Sequence, residues 1–177
     1  MSAPLSASAL AEALPAGWRL RDELDADLPA LSQLYASTRW DELKPVAWSD
    51  EEKLAFLADQ FDKQHRHYLQ NYPGALWLVM EVEGAVAGRI YLHPSESDIR
   101  LMDVALVPQW RGQGVGTRLL TALSAQADAS ARSISLHVEP YNPAIGLYRR
   151  LGYADVETRG YYLFMERPAR GAAGPAS

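Results

Sequence analysis

Three alternating glycines, Gly112, Gly114 and Gly116, lie where an apolar run from Val104 ends at Pro108 and a helix begins. Glycine has no Cβ, so such a turn leaves backbone N–H groups uncovered at a helix N-terminus. Uncovered amides there bind phosphate or another anion. Spacing narrows the ligand. A P-loop needs glycine, four residues, then Gly-Lys-Ser/Thr; here Thr117-Arg118 follows Gly116 and the loop has no lysine. A dinucleotide fingerprint needs Gly-x-Gly-x-x-Gly; its last position falls on Thr117 or Leu119. What remains is Arg-x-x-Gly-x-Gly, on Arg111, Gly114 and Gly116.

A second motif follows. Ser133–Glu139 alternates and is β-branched, which predicts a strand. Pro140, Tyr141, Asn142 and Pro143 then lead into a short helix, Ala144–Leu151, closed by Gly152 at a usual C-cap position. Asn142 is followed six residues later by Tyr148, then by Leu151-Gly152-Tyr153. The two motifs together resemble the signatures of the GNAT superfamily of N-acetyltransferases, over roughly Gly17 to Glu166. The resemblance implies a GNAT-like acyl-CoA N-acyltransferase fold: α/β, a single domain with a mixed β-sheet flanked by helices. It also implies a splay between the two motif strands that admits the pantetheine arm. The implied activity moves an acetyl group from acetyl-CoA, the acyl-donor co-substrate, to a primary amine by direct attack in a ternary complex. A non-catalytic acyl-CoA-binding sensor or scaffold is the alternative; an enzyme taking a longer acyl chain is a third.

Acetyl transfer needs a held thioester, a neutral amine and stabilised charge on oxygen and sulfur. The amides of Arg111, Gly112, Gln113, Gly114, Val115 and Gly116, with Thr117 at the helix start, are expected to take the pyrophosphate. The strand end Val104, Ala105 and Leu106 is expected to supply a backbone N–H to the acetyl oxygen, from Leu106 or its neighbour. The resemblance makes Tyr148 the acid toward the leaving thiolate, with a core tyrosine as the plainer alternative. His137 is the candidate base, at a position where some relatives carry glutamate. Glu139 shares its strand parity, so the two could couple; Asp103 is a third candidate. Asn142 either contacts the CoA arm or only forms the turn before Pro143. For the acceptor, Arg39, Trp40, Glu42, Gln64 and Tyr161 are candidates, with Glu42 suited to an amine and Arg39 to a carboxylate. Of Tyr161 and Tyr162, one is expected to face in and the other out.

The elements that position these residues read as follows. Trp18–Leu20 suits a strand, and Asp25–Thr38 carries Leu28, Leu31 and Leu34/Tyr35 at helical spacing. Ser49 and Glu52 form a capping box opening a helix to about Asn71, with Leu54, Leu57, Phe61, His65 and Tyr68 on one stripe. Ala75–Glu83 and Ala85–Leu92 form a hairpin around Gly84, and Ile99–Val107 is the next strand. Val115–Asp128 is a helix with Val115, Leu119, Leu120, Leu123 and Ala127 toward the sheet. Ala154–Thr158 and Tyr161–Glu166 close the chain around Arg159-Gly160. The motif strands are joined by a helix and should be parallel.

Composition bounds the rest. A chain of 177 residues, 48% apolar and 22% charged, suits one globular domain. Residues 17–167 are read as the acetyltransferase domain, 1–16 as a flexible lead-in without a basic signal region, and 168–177 as a disordered tail. A net charge of −5 argues against nucleic acid, and no apolar run of about 18 residues argues for a membrane span. With no cysteine, disulfides, thiolate metal sites and an acyl-cysteine route are excluded. The four histidines show no metal pattern, so no metal is expected. The expected setting is cytoplasmic, the acceptor a small-molecule amine or a peptide or protein amine, and a homodimer is left open.

Overall fold

Seven strands hydrogen-bond into one sheet in the order β1-β2-β3-β4-β5-β7-β6 in the computed structural model, which describes residues 4–171. They are β1 Trp18–Asp22, β2 Leu76–Val82, β3 Ala85–Pro94, β4 Asp98–Leu106, β5 Ser133–Val138, β6 Ala154–Arg159 and β7 Tyr162–Arg167. Helices α2 Leu28–Arg39 and α3 Asp50–Asn71 lie on one face. On the other face lie α1 Ala7–Glu12, α4 Val115–Ala129 and α5 Ile145–Arg150.

Local chemistry sets the boundaries. Ser49 accepts from the Glu52 N–H while Glu52 reaches back to the Ser49 N–H, the capping box predicted for α3. Leu57, Phe61 and His65 of its stripe are buried, but Leu54 in the first turn is 51% exposed and faces solvent. The β2–β3 hairpin turns on Glu83 (φ 54°) and Gly84 (φ 77°), both left-handed as a tight two-residue turn requires.

Two cores sandwich the sheet. Leu119, Leu120, Leu123 and Ala127 of α4 meet Ile90, Leu92, Ile99 and Ile134, all buried. Leu31, Leu34, Leu57 and Phe61 meet Val79 on the α2/α3 side. Gly88 pairs with Leu106, and a Cβ there would lie 2.5 Å from the Ala105 carbonyl oxygen. Only glycine lets β3 approach the end of β4 so closely.

Two terminal expectations are corrected. The segment 1–16 is not a flexible lead-in where it is described: Ser6 caps α1, and Leu10 (0% exposed) and Leu14 (5%) enter the main core. Leu10 sits on α1, whose contacts are with β1 and α4, and Leu14 follows just past its C-cap Ala13; both join the core of that face. In the expected disordered tail 168–177, the Arg170 N–H donates to Asp128 at 2.8 Å; 172–177 lie outside the described residues. At the closing hairpin the turn falls on Gly160 and Tyr161, one residue later than expected. Strand alternation therefore does not reach Tyr161, and both Tyr161 (58%) and Tyr162 (41%) are exposed.

Candidate active site

β4 and β5 are parallel but pair only over Asp98–Arg100 with Ser133–Ser135, and then diverge. This is the splay the resemblance implied. It opens a cleft of about 520 Å³ between the strands, roofed by α3 and reached by α5. Alternation assigns the faces. Ile99, Leu101, Val104 and Leu106 pack toward α4, while Ala105 packs toward α2/α3, and a register shift falls between Tyr91 and Leu92 of β3 opposite.

The open edge of β4 carries unpaired donors. The Val107 N–H bonds the Ala87 carbonyl of β3 at 2.8 Å. Since successive residues of a strand point their amides to opposite sides, the Val104 and Leu106 N–H groups point into the splay. Beyond β4, a 3₁₀ turn over Pro108–Trp110 leads to the glycine loop, with Trp110 edge-on to Trp18 at 5.3 Å. Gly112 (φ 72°) and Gly114 (φ 82°) are left-handed, and a Cβ on Gly112, Gly114 or Gly116 would meet nothing within 4 Å. Among the described residues no protein group accepts from the N–H of Gly112, Gln113, Gly114, Val115, Gly116 or Thr117; the first bond is Arg118 N–H to Gly114. This cradle fits a diphosphate. Arg111 is not poised above it. Its Nε donates to the Leu106 carbonyl at 2.9 Å and its Nη2 to Ser37 Oγ at 2.9 Å, so it ties the loop to β4 and α2.

Tyr148 on α5 is 6% exposed and lines the cleft, and among the described residues its hydroxyl has no hydrogen-bond partner. Burial first, then the charges of Asp103 and Glu139, push its pKa far above that of an ordinary phenol. It therefore keeps its proton. The Asn142 side chain accepts from the Ala144 N–H at 2.8 Å and donates to Glu139 at 3.3 Å, so it forms the turn while also lining the cleft.

His137 and Glu139 do share a face, but they do not couple. Glu139 pairs with Arg39 Nη2 at 2.6 Å. His137 Nδ1 accepts from Arg100 at 3.0 Å, its Nε2 lies 3.5 Å from Arg159 Nη1, and its ring stacks on Phe164 at 5.0 Å. Burial, then Arg100 and Arg159, lower its pKa. A neutral imidazole has one acceptor nitrogen, and here Arg100 occupies it. A proton arriving there would sit between two guanidinium groups, so the surroundings disfavour His137 as the base.

The acceptor candidates divide. Arg39 and Gln64 line the cleft. Glu42 does not line it; it lines an adjoining pocket, bonded to Arg39 at 3.1 Å and to the Tyr141 hydroxyl at 2.8 Å. Trp40 does not line it; it packs on the α2/α3 core beneath the Lys53 ammonium. Tyr161 does not line it either; Tyr162 does. Sequence reasoning missed Arg89, which is 2% exposed, paired with Asp103 and hydrogen-bonded to Gln64 at 3.2 Å. The available signal was one cation inside the apolar strand Ala85–Leu92, which demands a buried partner. It also missed Arg100, Arg159 and Tyr68, whose hydroxyl donates to the Met102 carbonyl at 3.4 Å.

The acetyltransferase (GNAT) family model matches residues 35–153. A putative ribosomal protein bS18-alanine N-acetyltransferase of Bacillus subtilis is 35% identical over 88 residues, 49% of this chain and 58% of the relative. Mycothiol acetyltransferase of Corynebacterium aurimucosum is 32% identical over 113 residues, 62% of this chain and 33% of the relative. The chain thus spans little more than half of one curated relative and a third of the other. Among solved structures, the PaiA N-acetyltransferase of Thermoplasma acidophilum in complex with coenzyme A aligns with TM-score 0.64 at 20% identity, covering 85% of this chain and 98% of that one. The ribosomal-protein-S18-alanine N-acetyltransferase of Escherichia coli aligns with TM-score 0.58 at 20% identity, covering 89% and 97%.

Proposed function

The chain belongs to the GNAT acetyltransferase family, and from that premise we propose that it moves an acetyl group from acetyl-CoA to a primary amine in a ternary complex. The run of unpaired amides from Gly112 to Thr117, opening on the splay, carries this reading. Those amides and the N-terminus of α4 would hold the diphosphate, with Val115, Gln113 and Asn142 beside the arm. The coenzyme A complex of the Thermoplasma acidophilum enzyme supports the choice of donor.

The chain's residues divide the work. The Leu106 amide, or that of a neighbour at the strand end, meets the carbonyl oxygen as negative charge grows there; one such donor is worth roughly 3–4 kcal/mol. Glu139 and Asp103, which both line the cleft, hold the incoming ammonium, and we assign Glu139 rather than His137 the role of taking its proton, directly or through water. The amine lone pair then forms the C–N bond, the C–S bond breaks, and the electron pair leaves on sulfur. Tyr148 donates a hydrogen bond to that sulfur. A free thiol titrates near ~8.5 and a phenol near ~10, and the tyrosine here is pushed higher still. Full transfer of its proton is therefore uphill, and stabilising the thiolate is its main contribution.

The free Tyr148 hydroxyl inside the cleft favours an enzyme over a non-catalytic acyl-CoA module, since a binding module has no use for it. Acceptors of both kinds, small amines and peptide amines, belong to the proposal, as do a cytoplasmic setting and a homodimer. No helix among the described residues is long and apolar enough to cross a membrane. The test is thiol release from acetyl-CoA against a panel of amines and peptides, beside a thermal shift with coenzyme A alone. Thiol release with an amine supports the enzyme; a melting shift without turnover supports the binding module; neither overturns both.

A further inference from the structure

We propose that the part of the cleft lined by Arg100, His137 and Arg159 is an oxyanion subsite, built by the two guanidinium groups around the imidazole, and that it selects small amine acceptors carrying a carboxylate or phosphate. This deepens the acetyltransferase reading and rests on it for the word acceptor. The charge pattern is the starting point. Most cations of the cleft are paired: Arg39 with Glu139 and Glu42, Arg89 with Asp103, and Arg159 with Glu157. Arg100 pairs with no carboxylate among the described residues; its Nε donates to Ser135 Oγ at 2.8 Å, and Ser135 in turn donates to Asp98 at 2.5 Å. Arg159 meets Glu157 through Nε at 2.5 Å and turns Nη1 toward His137.

Both guanidinium groups stand over one ring. Arg159 Cζ lies 3.8 Å and Arg100 Cζ 5.6 Å from the Phe164 centroid. The ring and Ser135 fix their planes, so the fork donors are preorganised. The unpaired Arg100 and the Nη1 edge of Arg159 thus converge on one imidazole, with no carboxylate between them. An oxyanion placed there would receive donors from both arginines, and its charge would favour the imidazolium form of His137. His137 and Glu139 are two residues apart on one face, roughly 7 Å along an extended chain. An acceptor with its amine at Glu139 and its anion at His137 spans that distance with a few bonds. Arg100, His137 and Arg159 all line the same cleft as Tyr148 and Glu139.

The experiment has two arms. In the first, kcat/KM is measured with matched acceptors: amino acids against their carboxamides, and aminoalkyl phosphates against the corresponding amino alcohols. The charged member should lead by about 10-fold or more, mainly through KM. Arg159→Gln should shrink that lead while leaving the neutral member nearly unchanged. The carboxylate and phosphate pairs say which oxyanion is preferred. No preference for the charged member overturns the selection. In the second arm, His137 is followed by NMR titration in protein saturated with coenzyme A, with and without inorganic phosphate. The subsite predicts a higher midpoint with phosphate in the native protein and a smaller change in Arg159→Gln. A midpoint indifferent to phosphate overturns the subsite even if amines are acetylated. A phosphate response without turnover of any amine leaves the subsite standing and counts against the acetyltransferase reading instead.

Discussion

The Nε of Arg111 donates to the carbonyl of Leu106 at 2.9 Å, joining the head of the glycine loop to the end of β4. The two functions expected of neighbouring segments, diphosphate binding and oxyanion stabilisation, are therefore mechanically linked. A second bond, from Nη2 to Ser37 of α2, brackets the loop from the other side. Arg111 positions the cradle rather than adding charge to it.

Arg111→Ala should therefore raise the Kd for coenzyme A by roughly 10-fold, the loss of two charge-assisted hydrogen bonds at an exposed site. Arg111→Lys should not restore it, because a lysine ammonium cannot reproduce the fork that bonds both partners. Isothermal titration of the three proteins with coenzyme A checks this.

Gly114 caps α4 at φ 82°, where a side chain is strained, and it faces open space in the cradle. Gly114→Glu adds strain of about 1–3 kcal/mol and puts a carboxylate where the diphosphate would lie. Coenzyme A should then cause no thermal shift at concentrations that saturate the native protein, while the variant still melts cooperatively.

Tyr148→Phe should lower kcat by roughly 10²–10³, the loss of one preorganised donor to a developing anion, and change the Kd for coenzyme A far less. Because the folded-state pKa of the phenol is raised, its protonated form persists through the alkaline range. The native pH–kcat profile should show no tyrosine limb up to pH ~10. An unchanged turnover number in the variant would remove Tyr148 from the reaction.

Much of this site was legible because its parts are local in sequence. The loop glycines, the β5 parity of His137 and Glu139, and the Tyr148 helix each lie within one short segment. The partners were not legible. Arg39 reaches Glu139 across a hundred residues, and Arg100 reaches His137 across 37. Strand parity predicts a shared face but not which cation from another strand will occupy it, so the proposed His137–Glu139 pair dissolved into two arginine contacts. The first helix was missed for another reason. Leu10 and Leu14 are a weak apolar signal in an alanine- and serine-rich stretch, and only their packing on α4 and β1 makes them core.

Outside the site, Asp27 is 7% exposed and accepts two hydrogen bonds from Arg21 and one from the Leu24 N–H. Its hydrogen bond with Arg21 holds its pKa below the usual carboxylate value. A depressed pKa means stability that is complete above the unfolded value near ~3.9 and is lost as pH falls through the lower folded value. Asp27→Asn should cost about 2–4 kcal/mol at pH 7, and the cost should shrink toward pH ~3. Urea unfolding at both pH values measures it.

Gly88→Ala tests whether the end of β4 depends on the close approach of β3. A Cβ would meet the Ala105 carbonyl, Leu106 and Met80, so the strands must separate. Stability should fall by about 1–3 kcal/mol, and kcat should fall with it because the Leu106 amide moves. Urea unfolding and steady-state kinetics read the two effects.

The central claim is that bare main-chain amides between β4 and α4 bind the diphosphate of acetyl-CoA. Amide NMR of ¹⁵N-labelled protein tests it at those atoms. Saturating coenzyme A should shift the Gly112, Gly114, Gly116 and Thr117 amide protons downfield and slow their exchange with solvent. Amides in that loop that keep their positions and exchange rates while coenzyme A is present in excess would contradict the account.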